Sequence, residues 1–152
     1  MHLVLYEPDI PQNAGAMIRL GACTGVAVHI IEPCGFVLTD ARLRRAHMDY
    51  IEHVRLVRHA GWESFRAYQA ETGGRLLLLT RHGETRHLDC VFRRDDWLLL
   101  GRESAGTPPE VHAAAAVRLR IPLPPALRSL NVAIAAAMVL GEALRQTGAF
   151  PD

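Results

Sequence analysis

The chain has 152 residues, is 49% hydrophobic and carries a formal net charge of +1, which suits one globular domain with a buried core. No basic tail or acidic run points to a charged polymer as partner, so net charge alone does not predict RNA binding. Arg occupies all 17 Lys and Arg positions, which excludes mechanisms that require a catalytic lysine.

The three cysteines, Cys23, Cys34 and Cys90, are isolated from one another and form no C-x-x-C pair. This disfavours a disulfide framework or a zinc site and fits a reducing compartment. The first residues lack the charged and apolar regions of a signal peptide, and the longest apolar stretch, 132–141, is too short to span a bilayer. We therefore expect a single domain, residues 1–152, that is cytoplasmic and does not enter a membrane.

Short apolar runs alternate with helical patterns along the whole chain. The alternation, with runs that are apolar on both faces, predicts an α/β protein with a mostly parallel sheet flanked by helices. The predicted strands are 2–6, 26–31, 54–57, 76–80, 97–100 and 117–121, and the predicted helices are 14–24, 62–71, 108–115 and 130–147.

The loops that follow the predicted strands are the places to look for function, because parallel sheets bind ligands beyond the carboxyl ends of their strands. These loops read EPDIPQNAG after the first strand, TRHGETRH after the fourth, GRESAGTPP after the fifth and PLPPALRSLN after the sixth. All four are rich in glycine, proline and polar residues.

Several familiar signatures are missing from these loops. The sequence has no G-x-G-x-x-G after a strand and no P-loop, which disfavours an ordinary dehydrogenase or kinase, and it has no G-x-S-x-G or H-E-x-x-H. His82 and His87 flank Glu84 in one loop and are candidate metal ligands, although a solvated loop explains them better. We expect no metal.

The first constellation runs from Asn13 to Arg19, from the loop after the first strand into a helix. Asn13 is a competent N-cap, and Gly25 is placed to end the helix. Gly15 and Gly21 would let the helix pack closely against its neighbours. On this pattern alone, Arg19 would be a surface charge.

The second constellation is Gly101-Arg102-Glu103-Ser104-Ala105-Gly106, directly after an apolar strand. Gly101 permits a close backbone approach by a ligand, and Gly106 permits a tight turn. Glu103 would be solvated in a plain turn, whereas in a pocket it could accept hydrogen bonds.

The third constellation is a strand end at Ile121, a proline-rich loop, and Ser129-Leu130-Asn131 at the start of a long helix of small residues. Ser129 or Asn131 could cap that helix. The helix is apolar nearly all round, which predicts burial on several sides, in the domain or against a second copy of the chain.

Together, in this order and at these distances, the constellations resemble the SPOUT superfamily of methyltransferases, and within it the tRNA (cytidine-34 2'-O)-methyltransferase family. The stretches that carry the resemblance are EPDIPQNAGAMIRLGACTG, HIIEPCGFVLTDARLRRAHMDYIEHV, LLLGRESAGTPPEV and RIPLPPALRSLNVAIA. They cover nearly the whole chain.

The resemblance implies a SPOUT fold with a deep trefoil knot in its carboxyl-terminal part, which forms the site for S-adenosyl-L-methionine. It also implies a homodimer with the active site at its interface, and Arg19 matches the family's catalytic arginine. The cofactor, left as S-adenosyl-L-homocysteine after the reaction, would be held by Leu79, Gly101, Glu103, Ile121, Ser129, Leu130 and Asn131.

The implied partner is the tRNA anticodon stem-loop, methylated on the ribose 2'-OH of the wobble nucleotide, cytidine or uridine 34. Asn13, Arg42, Arg44 and Arg45 are expected to contact it, and the three arginines belong to a short helix predicted to begin near residue 40. A solvated helix face explains the arginines equally well. The chain departs from the family at His47, often Gly, and at Gly141, often a Tyr near the dimer contact.

Arg19 is unsuited to act as a general base, because a guanidinium has a pKa above about 12. We expect it to hold the target phosphate or to stabilise the developing oxyanion, while phosphate or water accepts the proton. Three alternatives remain: a SPOUT 2'-O-methyltransferase with another tRNA or rRNA target, a catalytically silent RNA-binding knotted module, and an unrelated hydrolase or metal protein that uses His82 and His87.

Overall fold

The structure is a computed structural model that describes residues 1–37 and 50–152. Within these ranges, seven strands form one sheet in the order β3-β2-β1-β6-β4-β7-β5, and all six of its neighbouring strand pairs are parallel. The strands are β1 His2–Tyr6, β2 Ala27–Ile31, β3 Leu56–His59, β4 Leu76–Leu79, β5 Thr85–Arg86, β6 Trp97–Leu100 and β7 Val117–Arg120.

Helices cover both faces of this sheet. They are α1 Pro11–Thr24, α2 Trp62–Thr72, α3 Pro109–Ala114 and α4 Val132–Thr147, with single 3-10 turns at Ile51–His53 and His87–Asp89. Buried side chains of α1 and α4 form one apolar cluster with one face of the sheet, and those of α2 and α3 form a second cluster with the other face. The predicted α/β class and parallel sheet are confirmed.

Helix α1 begins earlier than predicted. Ile10 occupies the N-cap position without a side-chain hydrogen bond, and Pro11 takes the first helical position, where its missing N–H costs nothing. The expectation that Asn13 caps the helix is therefore wrong. The predicted end at Gly25 is confirmed, since this residue adopts a φ of 68°. Close packing at Gly21 is also confirmed, because a Cβ there would lie 2.3 Å from Val28 Cγ2.

Helix α4 has a side-chain cap at its first turn. Asn131 Oδ1 accepts hydrogen bonds from the backbone N–H groups of Ala133 at 2.9 Å and Ile134 at 3.3 Å. Of the two predicted cap residues, Asn131 therefore fills the role. Gly148 ends the helix with a φ of 57°.

Strand β3 lies two residues further along the chain than predicted, and its last residue, His59, is buried. His59 belongs to a chain of three imidazoles under α2: His2 Nδ1 lies 3.1 Å from His29 Nε2, and His29 Nδ1 lies 3.0 Å from His59 Nε2. Burial lowers the pKa of His2 to about 4 and that of His29 to about 3, and it also lowers the pKa of His59. The three rings are therefore neutral in the folded protein at pH 7.

Parallel pairing brings the carboxyl ends of four strands to the same edge of the sheet. Leu100 at the end of β6 is aligned with Leu5 of β1 and with Leu79 of β4, and Leu79 is aligned with Leu119 of β7. The loops after these strands therefore meet at one place. Across residues 1–37 and 50–152, no helix is both long and apolar enough to cross a membrane.

Candidate active site

A cleft of about 1250 Å³ lies beyond the carboxyl ends of β4, β6 and β7. This is large enough for a ligand of cofactor size, since pockets for small molecules enclose about 300–1,000 Å³. The seven residues predicted to hold the cofactor all line this cleft, as does Asn13; the seven are Leu79, Gly101, Glu103, Ile121, Ser129, Leu130 and Asn131.

The turn after β6, residues 101–106, forms one wall of the cleft and is called the β6 turn below. Arg102 N donates to the Gly106 carbonyl at 3.0 Å, and Gly106 N donates to the Arg102 carbonyl at 2.7 Å. A Cβ on Gly101 would lie 2.9 Å from Gly106 C, and Gly106 has a φ of 70°. Both glycines are therefore required for this backbone path, and the tight turn predicted at Gly106 is confirmed.

A chain of side-chain hydrogen bonds joins the three sequence constellations. Glu103 Oε1 accepts a hydrogen bond from Asn13 Nδ2 at 3.1 Å, and Asn13 Oδ1 accepts one from Asn131 Nδ2 at 2.9 Å. Asn131 in turn caps α4. Asn13 thus spans the β6 turn and α4 instead of capping its own helix.

Asp9 contacts the β6 turn and was not singled out in the sequence analysis. Its backbone N–H donates to Glu103 Oε2 at 3.0 Å, and its Oδ2 accepts a hydrogen bond from the Ser104 hydroxyl. The pKa of Asp9 lies below its ordinary value, mainly because of its contact with the Glu103 carboxyl group and also because of the hydrogen bond from Ser104. The signal in the sequence is an acidic residue between two prolines at a strand end, but its contacts lie about 95 residues away.

Arg102 contacts the two acidic residues of the loop after β1, Glu7 and Asp9. Its Nε donates to the Glu7 carbonyl at 3.1 Å, its Nη1 lies 3.5 Å from Glu7 Oε2, and its Nε lies 3.8 Å from Asp9 Oδ2. Glu7 adopts a φ of 43°, a left-handed conformation that costs a non-glycine residue about 1 kcal/mol or more. The chain accepts this strain where β1 turns toward the cleft.

Arg19 lies on α1, six residues after Asn13 and therefore about 9 Å further along the helix axis. It is exposed, its Nη2 donates to the Tyr50 hydroxyl at 2.8 Å, and its Cζ lies 4.2 Å from the centroid of the Tyr50 ring. The structure therefore places Arg19 on the same helix as Asn13, but outside both the lining of the cleft and the hydrogen-bond chain. Tyr50 is a second contact that the sequence analysis missed.

Two groups of predicted residues remain. Arg42, Arg44 and Arg45, with the short helix predicted for them, lie outside the described residues. His82 is exposed and accepts a hydrogen bond from Arg81 Nε at 2.8 Å, whereas His87 is buried. In the part of the chain that the structure describes, no cluster of three or more His, Cys, Asp or Glu side chains could hold a metal ion.

Comparison with known proteins gives consistent relationships over nearly the whole chain. Residues 1–141 match the SpoU rRNA Methylase family. A tRNA (cytidine(34)-2'-O)-methyltransferase from Beijerinckia indica is 60% identical over 97% of this chain and 92% of its own length. A relative of the same name from Escherichia coli K12 is 43% identical over 97% of this chain and 94% of its own length.

Solved structures show the same fold. One, concerned with the 2-OH methylation of C/U34 on tRNA, superposes with a TM-score of 0.88 at 43% identity and covers 95% of this chain and 94% of that one. An AdoMet-bound rRNA methyltransferase from Sinorhizobium meliloti superposes with a TM-score of 0.85 at 27% identity, covering 95% of this chain and 55% of that one.

Proposed function

Because the chain belongs to the SpoU methylase family and, within it, to the tRNA (cytidine(34)-2'-O)-methyltransferases, we propose that it methylates the ribose 2'-OH of nucleotide 34 in tRNA. Its methyl donor is S-adenosylmethionine and its second product S-adenosylhomocysteine. The observation that carries the proposal is the cleft, which gathers the loops after β4, β6 and β7 and the start of α4 around one space of suitable volume.

The residues of this cleft fit the proposed cofactor. Gly101 lines the cleft and allows the compact backbone path of the β6 turn, because a side chain at this position would collide with Gly106. Leu79 and Ile121 stand at two further strand ends, where backbone groups can hold an adenosine. Ser129, Leu130 and Asn131 also line the cleft.

The protein supplies positioning and electrostatics for this reaction. When bound, the sulfonium supplies an electrophilic methyl group, so the transfer needs no covalent nucleophile. Arg19 holds the target phosphate or stabilises the developing negative charge on the ribose oxygen, with phosphate or water as the proton acceptor. Its contact with Tyr50 restricts the guanidinium to one side of α1, and positioning of this kind dominates the rate gain of an in-line transfer.

The proposal includes a homodimer, because α4 exposes apolar side chains on one side. Ile134 is 56% exposed and Met138 is 44% exposed, and their spacing of four residues places them on the same helix face. A second copy of the chain that covers this face would complete the burial expected from the sequence. The deep trefoil knot and the cytoplasmic location are also part of the proposal.

The tRNA surface completes the proposal. Asn13 lies at the cleft, and Arg42, Arg44 and Arg45 are proposed as contacts to the phosphates of the anticodon stem-loop on the basis of their charge. Reading of the anticodon would involve unstacked loop bases, as single-stranded RNA recognition generally does.

The direct test uses purified protein, S-adenosylmethionine with a labelled methyl group, and total tRNA from a strain that lacks wobble-ribose methylation. The labelled nucleotide is then mapped by mass spectrometry. Label on the 2'-oxygen of nucleotide 34 is expected. Label at another tRNA position, or on rRNA alone in a parallel reaction, would contradict the target, and no label with either RNA would contradict the activity.

A further inference from the structure

Residues 7–13, which comprise the loop after β1 and the first residues of α1, hold the β6 turn and are called the β1–α1 segment below. Three consecutive residues of the turn have partners in this segment. Arg102 donates to the Glu7 carbonyl and lies near Asp9. Glu103 accepts hydrogen bonds from the Asp9 N–H and from Asn13. Ser104 donates to the Asp9 carboxylate.

Asp9 has the most partners in this arrangement. Through its backbone and its side chain it approaches all three turn residues, Arg102, Glu103 and Ser104. Its side chain is only 19% exposed, and Asp9 Oδ1 is buried without a hydrogen-bond partner. A buried carboxylate oxygen that lacks a hydrogen-bond partner costs free energy.

The position of Asp9 is fixed from its other side by the loop after β2. Gly35 N donates to the Pro8 carbonyl at 2.9 Å, and a Cβ on Gly35 would lie 2.6 Å from Asp9 Cβ. Asp9 is therefore enclosed between Gly35 and the β6 turn. Two residues after Asp9, the chain enters α1, the helix that carries Asn13 and Arg19.

We propose that Asp9 is a positioning residue that fixes the β6 turn in its cofactor-binding conformation and ties it to the start of α1. The proposal rests on the proposed function for the identity of the cofactor and goes beyond it in assigning Asp9. Asp9 touches the turn and not the cleft interior, so it acts on the cofactor through Arg102, Glu103 and Ser104.

Binding of S-adenosylhomocysteine, measured by calorimetric titration, tests this without any RNA. Asp9→Ala removes the side-chain contacts and is expected to raise the Kd about tenfold, the effect of losing one or two hydrogen bonds. Asp9→Asn keeps the size and an oxygen that can accept from Ser104, so it should recover part of the loss. The control Asp89→Asn removes an exposed carboxylate paired with Arg86 and should change the Kd by less than about twofold.

A double-mutant cycle separates positioning from general destabilisation. If Asp9 acts through the β6 turn, the effects of Asp9→Ala and Ser104→Ala on the Kd are not additive, because both remove the same contact. The thermal unfolding midpoint of each ligand-free variant is measured alongside. An affinity loss in Asp9→Asn, with an unfolding midpoint equal to that of Asp89→Asn, would support the proposal even if Asp9→Ala folds poorly.

The outcomes distinguish this proposal from the proposed function. Three outcomes would overturn the role of Asp9. The Kd values of Asp9→Ala and Asp9→Asn could equal that of the control, the effects in the cycle could be additive, or the unmodified protein could fail to bind S-adenosylhomocysteine. The expected binding pattern without methylation of nucleotide 34 would support Asp9 as a positioning residue and overturn only the tRNA target.

Discussion

Asn13 and Asn131 stand 118 positions apart in the chain and are joined by a hydrogen bond of 2.9 Å from Asn131 Nδ2 to Asn13 Oδ1. The bond connects the first turn of α1 to the N-terminus of α4. Because Asn13 also donates to Glu103, the two amides link both helices to the β6 turn. The three constellations that stand out in the sequence thus form one connected unit at the carboxyl edge of the sheet.

The two roles of Asn131 can be separated by substitution. Asn131→Ala loses both the helix cap and the bond to Asn13, and should lower the free energy of unfolding by about 1–2 kcal/mol. Asn131→Asp keeps an acceptor for the cap but loses the donor to Asn13, so it should lose less stability than Asn131→Ala while methylating more slowly than the unmodified protein. Urea denaturation and steady-state kinetics measure the two effects. Equal unfolding free energies for the two variants would contradict the cap.

Gly101→Ala should close the cofactor side of the β6 turn. The new Cβ would lie 2.9 Å from Gly106 C and 3.0 Å from Thr107 Cγ2, so the turn must shift. We expect cofactor affinity to fall by more than about tenfold in a titration with S-adenosylhomocysteine. Gly61→Ala is the matched control, since a Cβ there meets nothing within 4 Å. Unchanged affinity in Gly101→Ala would show that the turn does not contact the cofactor.

Substitution of Arg19 should reduce turnover and leave cofactor binding intact, because this residue lies on α1 and contacts Tyr50. We expect Arg19→Lys to lower kcat by about 10²-fold, since an ammonium cannot reproduce the bidentate geometry of the guanidinium. Single-turnover methylation of tRNA and a separate cofactor titration measure the two effects. Arg66→Lys on α2 serves as the control. A rate close to that of the unmodified protein would count against a requirement for the guanidinium.

The buried histidines predict a loss of stability in mild acid. Burial lowers the pKa of His2 to about 4 and that of His29 to about 3, so both stay neutral in the folded state while the unfolded chain protonates them near pH 6.5. Their contribution is complete above about pH 6.5 and is lost as the pH falls toward the folded values, with a slope approaching about 1.4 kcal/mol per pH unit for each histidine. His59, which bonds to His29, adds to the effect in the same direction.

Urea denaturation at pH 7.5 and pH 5.5 measures this loss. The variant His29→Gln should show a smaller difference between the two pH values than the unmodified protein, although it is less stable at both. His82→Gln, which changes an exposed histidine, should keep the full difference. If the unfolding free energy of the unmodified protein is the same at both pH values, the three histidines are not held neutral in the folded state.

The exposed face of α4 predicts how the proposed dimer can be disrupted. Ile134→Glu together with Met138→Glu places two charges on the proposed interface, which should yield a monomer in light scattering and reduce methylation. Ala70→Glu on α2 changes another exposed helix position and should leave the mass unchanged. A dimer that survives the double substitution would show that this face is not the interface.

Strand and helix positions follow closely from hydrophobic patterning, because a parallel sheet covered on both faces requires continuous apolar runs. The strands His2–Tyr6 and Trp97–Leu100 have the predicted bounds. The strand Leu56–His59 does not. Its last residue is polar, so the sequence pattern marks it as exposed, whereas in the fold His59 is buried and hydrogen-bonded to His29. The two-residue strand Thr85–Arg86 is too short to leave a pattern.

The sequence predicts that the loops after the strands meet at one edge, because the carboxyl ends of parallel strands lie on the same side of the sheet. It does not predict which side chains in these loops contact each other. The sequence marks Asn13 as a helix cap, because nothing local shows that Glu103 and Asn131 lie within reach. Asp9 stands in the proline-rich loop after the first strand, but nothing in that loop shows its partners, because its contacts with the β6 turn span more than 90 residues. Residues that act through contacts so distant in sequence are found only from the fold.

The central claim, methylation of the ribose at nucleotide 34, is tested most directly with anticodon stem-loops that carry a single 2'-deoxynucleotide. The protein is incubated with labelled S-adenosylmethionine and either a 34-deoxy substrate or a matched 32-deoxy control. The account predicts full incorporation into the 32-deoxy substrate and none into the 34-deoxy substrate, because the accepting hydroxyl is missing. Equal incorporation into both would contradict the account.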